Sequence, residues 1–176
     1  MPSPIVDPIE HERRMATWWY IANELWGNPG HNLTYEEIIK IEDEFFAPTI
    51  TIEELRERYA RGERDFVDIS LPHKVDVSGI NLAGANLKGA KFNSSNFTGA
   101  NLKGANLSYA WLGGVNFTSA SLEGANINRA DATGAIFRNA SLLNTIGGFV
   151  TDCDALYENT IRRNGSLIKK PYRPFG

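Results

Sequence analysis

The sequence has 176 residues, of which 42% are hydrophobic and 22% are charged, a composition that excludes a wholly disordered chain. Its one cysteine, Cys153, excludes an intramolecular disulfide, and no run reaches the roughly 18 apolar residues of a membrane-spanning helix. The start also lacks the features of a secretory signal, so we expect a soluble, cytoplasmic protein that does not bind membranes. The net charge of −3 is uneven, because residues 1–63 carry 13 acidic and 6 basic residues.

The first 47 residues predict two helices. Asp7-Pro8-Ile9-Glu10 combines an N-cap with a proline at the first helical position, and apolar residues follow at helical spacing. Trp18, Trp19 and Trp26 lie on that apolar stripe. We interpret them as an anchor that docks the helix, with a ligand platform as the alternative. Thr34-Tyr35-Glu36-Glu37 is a capping box that opens the second helix.

A third helix is predicted to begin at a second capping box, Thr51-Ile52-Glu53-Glu54. Its apolar residues, including Leu55 and Tyr59, face inward, and Gly62 follows its end. Residues 1–62 are therefore predicted to form a small helical bundle.

From Phe66 onward the sequence repeats every five residues. Each unit has the form A-N-L-x-x: a small residue, usually Ala, is followed by a residue that is often Asn and then by a large apolar residue, with Gly frequent at the end. Phe66 and Leu71 fit as the first two units, and the step of six residues from Leu71 to Val77 places one inserted residue near Pro72-His73-Lys74. The residues predicted to form the structural core are Leu82, Leu87, Phe92, Phe97, Leu102, Leu107, Leu112, Phe117, Leu122, Ile127, Phe137 and Leu142.

A strict period of five matches neither an α-helix nor a continuous strand. A short extended piece followed by a turn accounts for it, because the large residue and the small residue two places earlier then both point inward. Glycine at the turn permits a positive φ. Like residues also recur at a period of 20, as in Phe97, Phe117 and Phe137. Four units therefore complete one coil, and the sequence predicts a mainly β solenoid.

This pattern resembles that of the pentapeptide-repeat family, A-[DN]-[LF]-x-x, and it persists through fourteen consecutive units from Val77 to Leu142. The resemblance implies a right-handed quadrilateral β-helix. The segment from Leu55 to Phe66 is similar to the lead-in of many family members from photosynthetic bacteria. Most of those proteins have no assigned biochemical activity.

The residues after the repeats are predicted to cover the C-terminal end of the solenoid. Ile136 and Leu143 place apolar side chains at outward positions, so another segment should cover them. Asn164-Gly165 lies between two short apolar stretches and predicts a hairpin with a type I′ turn, followed by a loose tail over 169–176. The predicted domains are a helical N-terminal cap over 1–62, the β-helix over 63–148, and a C-terminal hairpin cap and tail over 149–176.

No motif in the sequence predicts catalysis, a metal ion or a cofactor. His11, His31 and His73 are scattered, and no Cys/His spacing is typical of zinc. The glycines follow the repeat turns and do not form a phosphate-binding loop. The acidic residues around Cys153 are better interpreted as a capped turn than as a site. We therefore expect a protein that is not an enzyme.

One group of outward positions departs from the repeat. Trp111 replaces the usual Asn, with Lys91 one coil before it and Asp131 one coil after it. Tyr109 replaces a turn glycine, and Arg129 holds the same position one coil later. Tyr, Trp and Arg are enriched in interface hot spots, so these residues predict an exposed interaction patch. The alternatives are that Lys91 and Arg129 only cover the two rings by cation–π contacts, or that the N-terminal bundle folds over them.

Two functional classes follow from the sequence and the resemblance. The first is a monomeric structural or protein-interaction module that presents a rigid surface to an unidentified protein partner. The second comes from family members that mimic duplex DNA and act on gyrase. Such mimicry needs a strongly acidic rod, whereas residues 64–146 carry 7 basic and 5 acidic residues, so the first class is favoured. Direct nucleic-acid binding is also disfavoured, because the basic residues are few and scattered.

Overall fold

The computed structural model describes residues 48–72 and 74–174. The chain divides into two compact units, 1–45 and 46–176, and the described residues belong to the second unit. The predicted helices that begin near Asp7 and Thr34 lie outside the described residues, as do the tryptophan stripe and the three histidines. None of the helices in the described part of the chain is long and apolar enough to cross a membrane.

Helix α1 spans Ile52–Ala60, as its capping box predicts. The Thr51 hydroxyl accepts a hydrogen bond from the Glu54 N–H at 3.1 Å, which satisfies one free donor of the first turn. Gly62, with a φ of 95°, lies just past the helix end. Leu55 is buried in the core, and the Tyr59 hydroxyl donates to the Ala83 carbonyl at 2.9 Å. The helix is therefore docked on the first coil.

The repeat tract coils into a β-helix solenoid whose coils pair through single parallel bridges. From Asp76 to Ile161, every such bridge joins residues 20 apart, as in Asn81 with Asn101. There the Asn101 N–H donates to the Ile80 carbonyl at 2.9 Å, and the Leu82 N–H donates to the Asn101 carbonyl at 2.8 Å. A turn follows in every unit, and four units make one coil. The predicted period is thus confirmed.

The first coil contains the predicted insertion. Asp65 pairs with Asn86 and Ser70 pairs with Lys91, both 21 residues apart, whereas Asp76 pairs with Asn96 at 20. One extra residue is therefore accommodated between Ser70 and Asp76, and Phe66 and Leu71 are buried as core residues.

The large residues form continuous columns along the solenoid axis, a column being the set of residues at one place in successive coils. The rings of Phe97 and Phe117 lie 5.7 Å apart, and those of Phe117 and Phe137 lie 5.3 Å apart. Tyr157 continues this column at 5.1 Å from Phe137. The twelve residues named above as the structural core are all buried, with 7% or less of each exposed.

The ladder of bridges runs beyond residue 148, since Thr151, Leu156 and Ile161 each pair with a residue of the preceding coil. Strand β1, Thr160–Ile161, then turns back to pair antiparallel with strand β2, Leu167–Ile168. The Gly165 turn reaches Leu143, because a Cβ built on Gly165 would lie 3.6 Å from the Leu143 Cδ1. The predicted hairpin is therefore present and lies beside one of the two outward apolar residues.

Two details of this end differ from the predictions. The hairpin turn is not type I′, because only Gly165 of the Asn-Gly pair has a positive φ, 82°. The loop instead has three residues, with the Arg162 N–H donating to Ser166 and the Gly165 N–H donating back to Arg162. The tail is also not loose throughout. Tyr172 forms an antiparallel bridge with Tyr157 through two backbone hydrogen bonds of 2.8 and 2.9 Å.

Candidate interaction surfaces

The solenoid brings the predicted patch residues into adjoining columns. Lys91, Trp111 and Asp131 pair in succession through parallel bridges, so they form one column. Tyr109 and Arg129 hold equivalent turn positions one coil apart, with φ values of 60° and 58°. Arg129 is exposed, whereas Lys91, Tyr109 and Asp131 are half-buried.

Trp111 is only 5% exposed, contrary to the exposed position predicted for it. The repeat register gives the direction of a side chain but not what covers it, and covering an indole removes a large apolar area from water. Truncation of Trp111 is therefore expected to lower the free energy of unfolding. Lys88 lies over the Tyr109 ring, with its Nζ 5.7 Å from the ring centroid. These residues do not form a fully exposed patch.

The outward asparagine side chains form hydrogen bonds within the solenoid itself. The Asn106 amide donates to the Asn86 side chain at 3.0 Å, and the Asn86 amide donates to Asp65 at 2.9 Å. Several also accept a hydrogen bond from the backbone N–H two residues later, as Asn116 does from Thr118 at 3.0 Å. The asparagine ladders thus stabilise turns and coil stacking.

The last coil breaks the core pattern at three of its four inward columns, and the fourth continues with Tyr157. In the preceding coil, the four inward columns hold Ile127, Ala132, Phe137 and Leu142. The residues that continue these columns are Gly147, Asp152, Tyr157 and Arg162. The apolar core therefore ends in a coil lined by small and polar residues.

These four residues line an open groove of about 380 Å³ at the end of the solenoid, which we call the C-terminal groove. Ile127 and Leu142 of the preceding coil contribute apolar surface to it, together with Phe149 and Ile168. Arg162 and Arg163 are exposed on its lining, and the Arg163 Nη1 donates to the Gly147 carbonyl at 3.1 Å. The groove thus combines apolar surface with two guanidinium groups.

No group of three or more His, Cys, Asp or Glu side chains suited to a metal ion occurs within residues 48–72 and 74–174. Cys153 is an exposed free thiol in the turn of the last coil. Asp152 and Glu158, which flank it, have structural partners. Asp152 accepts from Tyr157, and Glu158 pairs with the Arg138 Nε at 2.6 Å. The acidic residues around Cys153 therefore belong to the coil, as their interpretation as a turn predicts.

Comparison with known proteins agrees with this geometry. Residues 80–139, about a third of the chain, match the family model described as pentapeptide repeats, with 8 copies. The repeat tract is a pentapeptide-repeat domain. No curated protein matches the sequence.

Solved pentapeptide-repeat proteins are similar to this domain. HetL, involved in heterocyst differentiation regulation in the cyanobacterium Nostoc sp. strain PCC 7120, is 25% identical with a TM-score of 0.54, over 60% of this chain and 50% of HetL. Rfr23 from the cyanobacterium Cyanothece 51142 is 29% identical with a TM-score of 0.49, over 52% of this chain and 62% of its own. A protein of the Arabidopsis thaliana thylakoid lumen is 28% identical with a TM-score of 0.48, over 50% and 61%.

The matched regions span only 50% to 62% of these relatives' own lengths. The likeness to HetL implies that the pentapeptide-repeat domain is a right-handed β-helix, as the resemblance in the sequence predicts.

The C-terminal groove is not among the features predicted from the sequence, although the pentapeptide-repeat columns contain its signal. Extending the four columns by one more step of 20 residues reaches Gly147, Asp152, Tyr157 and Arg162, where large apolar residues would otherwise stand. A column that ends in glycine or a charged residue marks the end of a solenoid core, since such residues cannot fill it with apolar volume.

Tyr157 links the groove to the stability of the domain. It is buried, and its hydroxyl donates to the Asp152 Oδ2 at 2.8 Å. Burial, reinforced by the adjacent Asp152 carboxylate, raises the pKa of Tyr157 well above its usual range. A phenol whose folded pKa is raised contributes stability that is fully present below the unfolded pKa of about 10 and is lost as the pH rises above it.

Tyr157→Phe is therefore expected to lower the free energy of unfolding by about 1.5–3 kcal/mol at neutral pH, since it removes a hydrogen bond to a carboxylate. The difference from wild type should narrow as the pH rises above about 10, where unfolded Tyr157 ionises. Urea unfolding of both proteins across this pH range measures the difference. If the difference in free energy of unfolding stays constant above about pH 10, the proposed role of the buried hydroxyl is contradicted.

Proposed function

We propose that this chain is a non-catalytic protein-interaction module in which a rigid four-sided β-helix presents a binding surface at its C-terminal end. In this proposal α1 caps the first coil and the β1–β2 hairpin caps part of the last. The turn in every five-residue unit from residue 76 to 145, with a bridge spacing of 20, supports the four-sided form. Leu55 in the core and the Gly165 turn beside Leu143 support the two caps.

The observation that carries the proposal is where apolar side chains are exposed. Within the described residues, the large hydrophobic side chains that are exposed all fall between residues 146 and 172, and Ile146 and Val150 are the most exposed at 58% and 63%. The earlier coils keep their large hydrophobic residues covered. A local concentration of exposed apolar surface, bordered by polar groups, is typical of a protein interaction site.

A regulatory or scaffolding role suits such a surface. The ladder of backbone hydrogen bonds holds every side chain at a fixed height and direction, so a partner meets a preorganised surface and little ordering is needed on binding. HetL, the relative with a TM-score of 0.54, is involved in a regulatory process, which agrees with action through a partner.

Site-specific photo-crosslinking tests the proposal. A benzoylphenylalanine residue is introduced at Ile146 or at Val150, and as a control at Lys103, which is exposed halfway along the solenoid. Each protein is irradiated in an extract of the cells that express the chain. We expect one discrete adduct from the two C-terminal positions, competed by excess unlabelled protein, and none from Lys103.

Two results would overturn the proposal. One is the absence of a competed adduct from all three positions. The other is an equal set of adducts from Lys103 and the C-terminal positions, which would indicate non-specific contact. Thermal unfolding of each labelled protein checks that the substitution leaves the fold intact.

A further inference from the structure

Within residues 48–72 and 74–174, the last coil has an open backbone edge beside the groove. The Ile146 N–H donates back to the Ala125 carbonyl at 2.8 Å, and the Ile146 carbonyl accepts from the Ile127 N–H at 2.9 Å. Because backbone groups alternate in direction along an extended segment, the Thr145 carbonyl and the Gly147 N–H face away from the preceding coil. A further strand could pair with both.

Two other faces of this coil already have such a strand. Ile161 pairs with Leu167 in the β1–β2 hairpin, and Tyr157 pairs with Tyr172 of the tail. For the edge formed by residues 145–147, no backbone partner occurs on the open side among residues 48–72 and 74–174. Uncovered strand edges are templates for an added strand from another chain.

The surroundings of this edge define the side chains that a partner strand would need. Ile146 and Val150 are exposed beside it, and the groove offers Ile127 and Leu142 where Gly147 leaves the column without a side chain. Side chains alternate along an added strand, so one face could place an apolar residue in the groove. The partner segment is therefore expected to contain an apolar residue at alternate positions.

The charge around the groove selects an acidic partner. Residues 160–176 carry five basic residues and no acidic ones. Arg162 and Arg163 line the groove itself, and the acidic group on its lining, Asp152, already accepts a hydrogen bond from Tyr157. Guanidinium groups form strong paired hydrogen bonds with carboxylates. A second copy of this chain docked through the same C-terminal end would bring like charges together, which is unfavourable.

We propose that the C-terminal groove binds an extended acidic segment of a partner protein, which adds as a strand to the edge at residues 145–147. An apolar side chain of that segment lies in the groove over Ile127, and a carboxylate binds Arg162. This inference rests on the proposed interaction function and specifies the chemistry of the partner.

Fluorescence anisotropy with designed peptides tests this assignment. The probe is a labelled hexapeptide of alternating glutamate and valine. One comparison peptide has lysine in place of every glutamate, and the other is methylated on the backbone nitrogens along one edge. We expect saturable binding of the glutamate peptide, and binding weaker by about tenfold or more for both comparison peptides. Binding of the glutamate peptide should also weaken as salt is raised.

A charge-reversal pair provides the matched protein control. Arg162→Glu is expected to weaken binding of the glutamate peptide by about tenfold or more, whereas Arg56→Glu, at an exposed arginine of α1 by the first coil, should change it by less than about twofold. Both side chains are exposed, so we expect both variants to fold. Urea unfolding of each variant verifies this.

Three outcomes would overturn the inference: no saturable binding of the glutamate peptide, equal binding of the glutamate and lysine peptides, or equal loss in the two arginine variants. Sedimentation that finds a dimer resistant to the peptide and abolished by Arg162→Glu would assign the groove to a second copy instead. If photo-crosslinks from Ile146 and Val150 persist while the peptides fail, the partner chemistry is wrong and the interaction function stands.

Discussion

Phe117→Ala is expected to lower the free energy of unfolding by about 3–5 kcal/mol, measured by denaturant titration. Phe117 is fully buried, and its ring contacts those of Phe97 and Phe137 at centroid distances of 5.7 and 5.3 Å. The coils above and below are tied by backbone hydrogen bonds, including one of 2.7 Å from the Phe117 N–H to the Ile136 carbonyl. They cannot collapse into the space, so the substitution leaves a cavity.

Two control variants separate the cavity from general sensitivity of the repeat. Phe117→Leu keeps most of the volume and is expected to cost less than about 1.5 kcal/mol. Phe149→Ala removes a half-buried ring at the end of the solenoid, where the chain can relax, and should cost less than Phe117→Ala. A loss below about 1 kcal/mol for Phe117→Ala would mean that the aromatic column does not carry the core.

The sequence predicts the regular part of the fold because one geometric rule controls it. A five-residue unit with an inward large residue and a turn fixes both the bridge spacing of 20 and the column of Phe97, Phe117 and Phe137. The N-cap of α1 is equally local, since Thr51 satisfies a donor only three residues away. Predictions that depend on neighbours close in sequence, or on a strict period, therefore agree with the structure.

The irregular part depends on contacts that a period does not encode. The outward direction of Trp111 follows from its register, but its burial depends on what lies above the surface. The hairpin at Asn164-Gly165 follows from composition, whereas its turn type depends on the extra residue placed in the loop. The C-terminal groove arises where the period fails, so the repeat pattern predicts its location only once the columns are followed to their last member.

Gly147→Ala is expected to lower the free energy of unfolding by about 3 kcal/mol or more, since backbone strain and a steric clash act together. Gly147 has a φ of 76°, and a Cβ added there would lie 2.6 Å from the Asn128 Cβ and 2.7 Å from its Cα. Asn128 is fixed, because its N–H donates to the Asn126 side chain at 3.0 Å and its carbonyl accepts from the Tyr109 N–H at 3.0 Å. The backbone therefore cannot yield cheaply.

Two glycines on the same chain separate the two causes in urea unfolding measurements. Gly104 has a φ of 64° but open space around it, so Gly104→Ala should cost only about 1–2 kcal/mol from the left-handed backbone. Gly148 has neither a positive φ nor a close neighbour, so Gly148→Ala should change stability by less than about 0.5 kcal/mol. Equal losses for Gly147→Ala and Gly104→Ala would show that the contact with Asn128 relaxes. A larger loss at Gly147 would show that the clash with Asn128 adds to the strain of the left-handed backbone at this position.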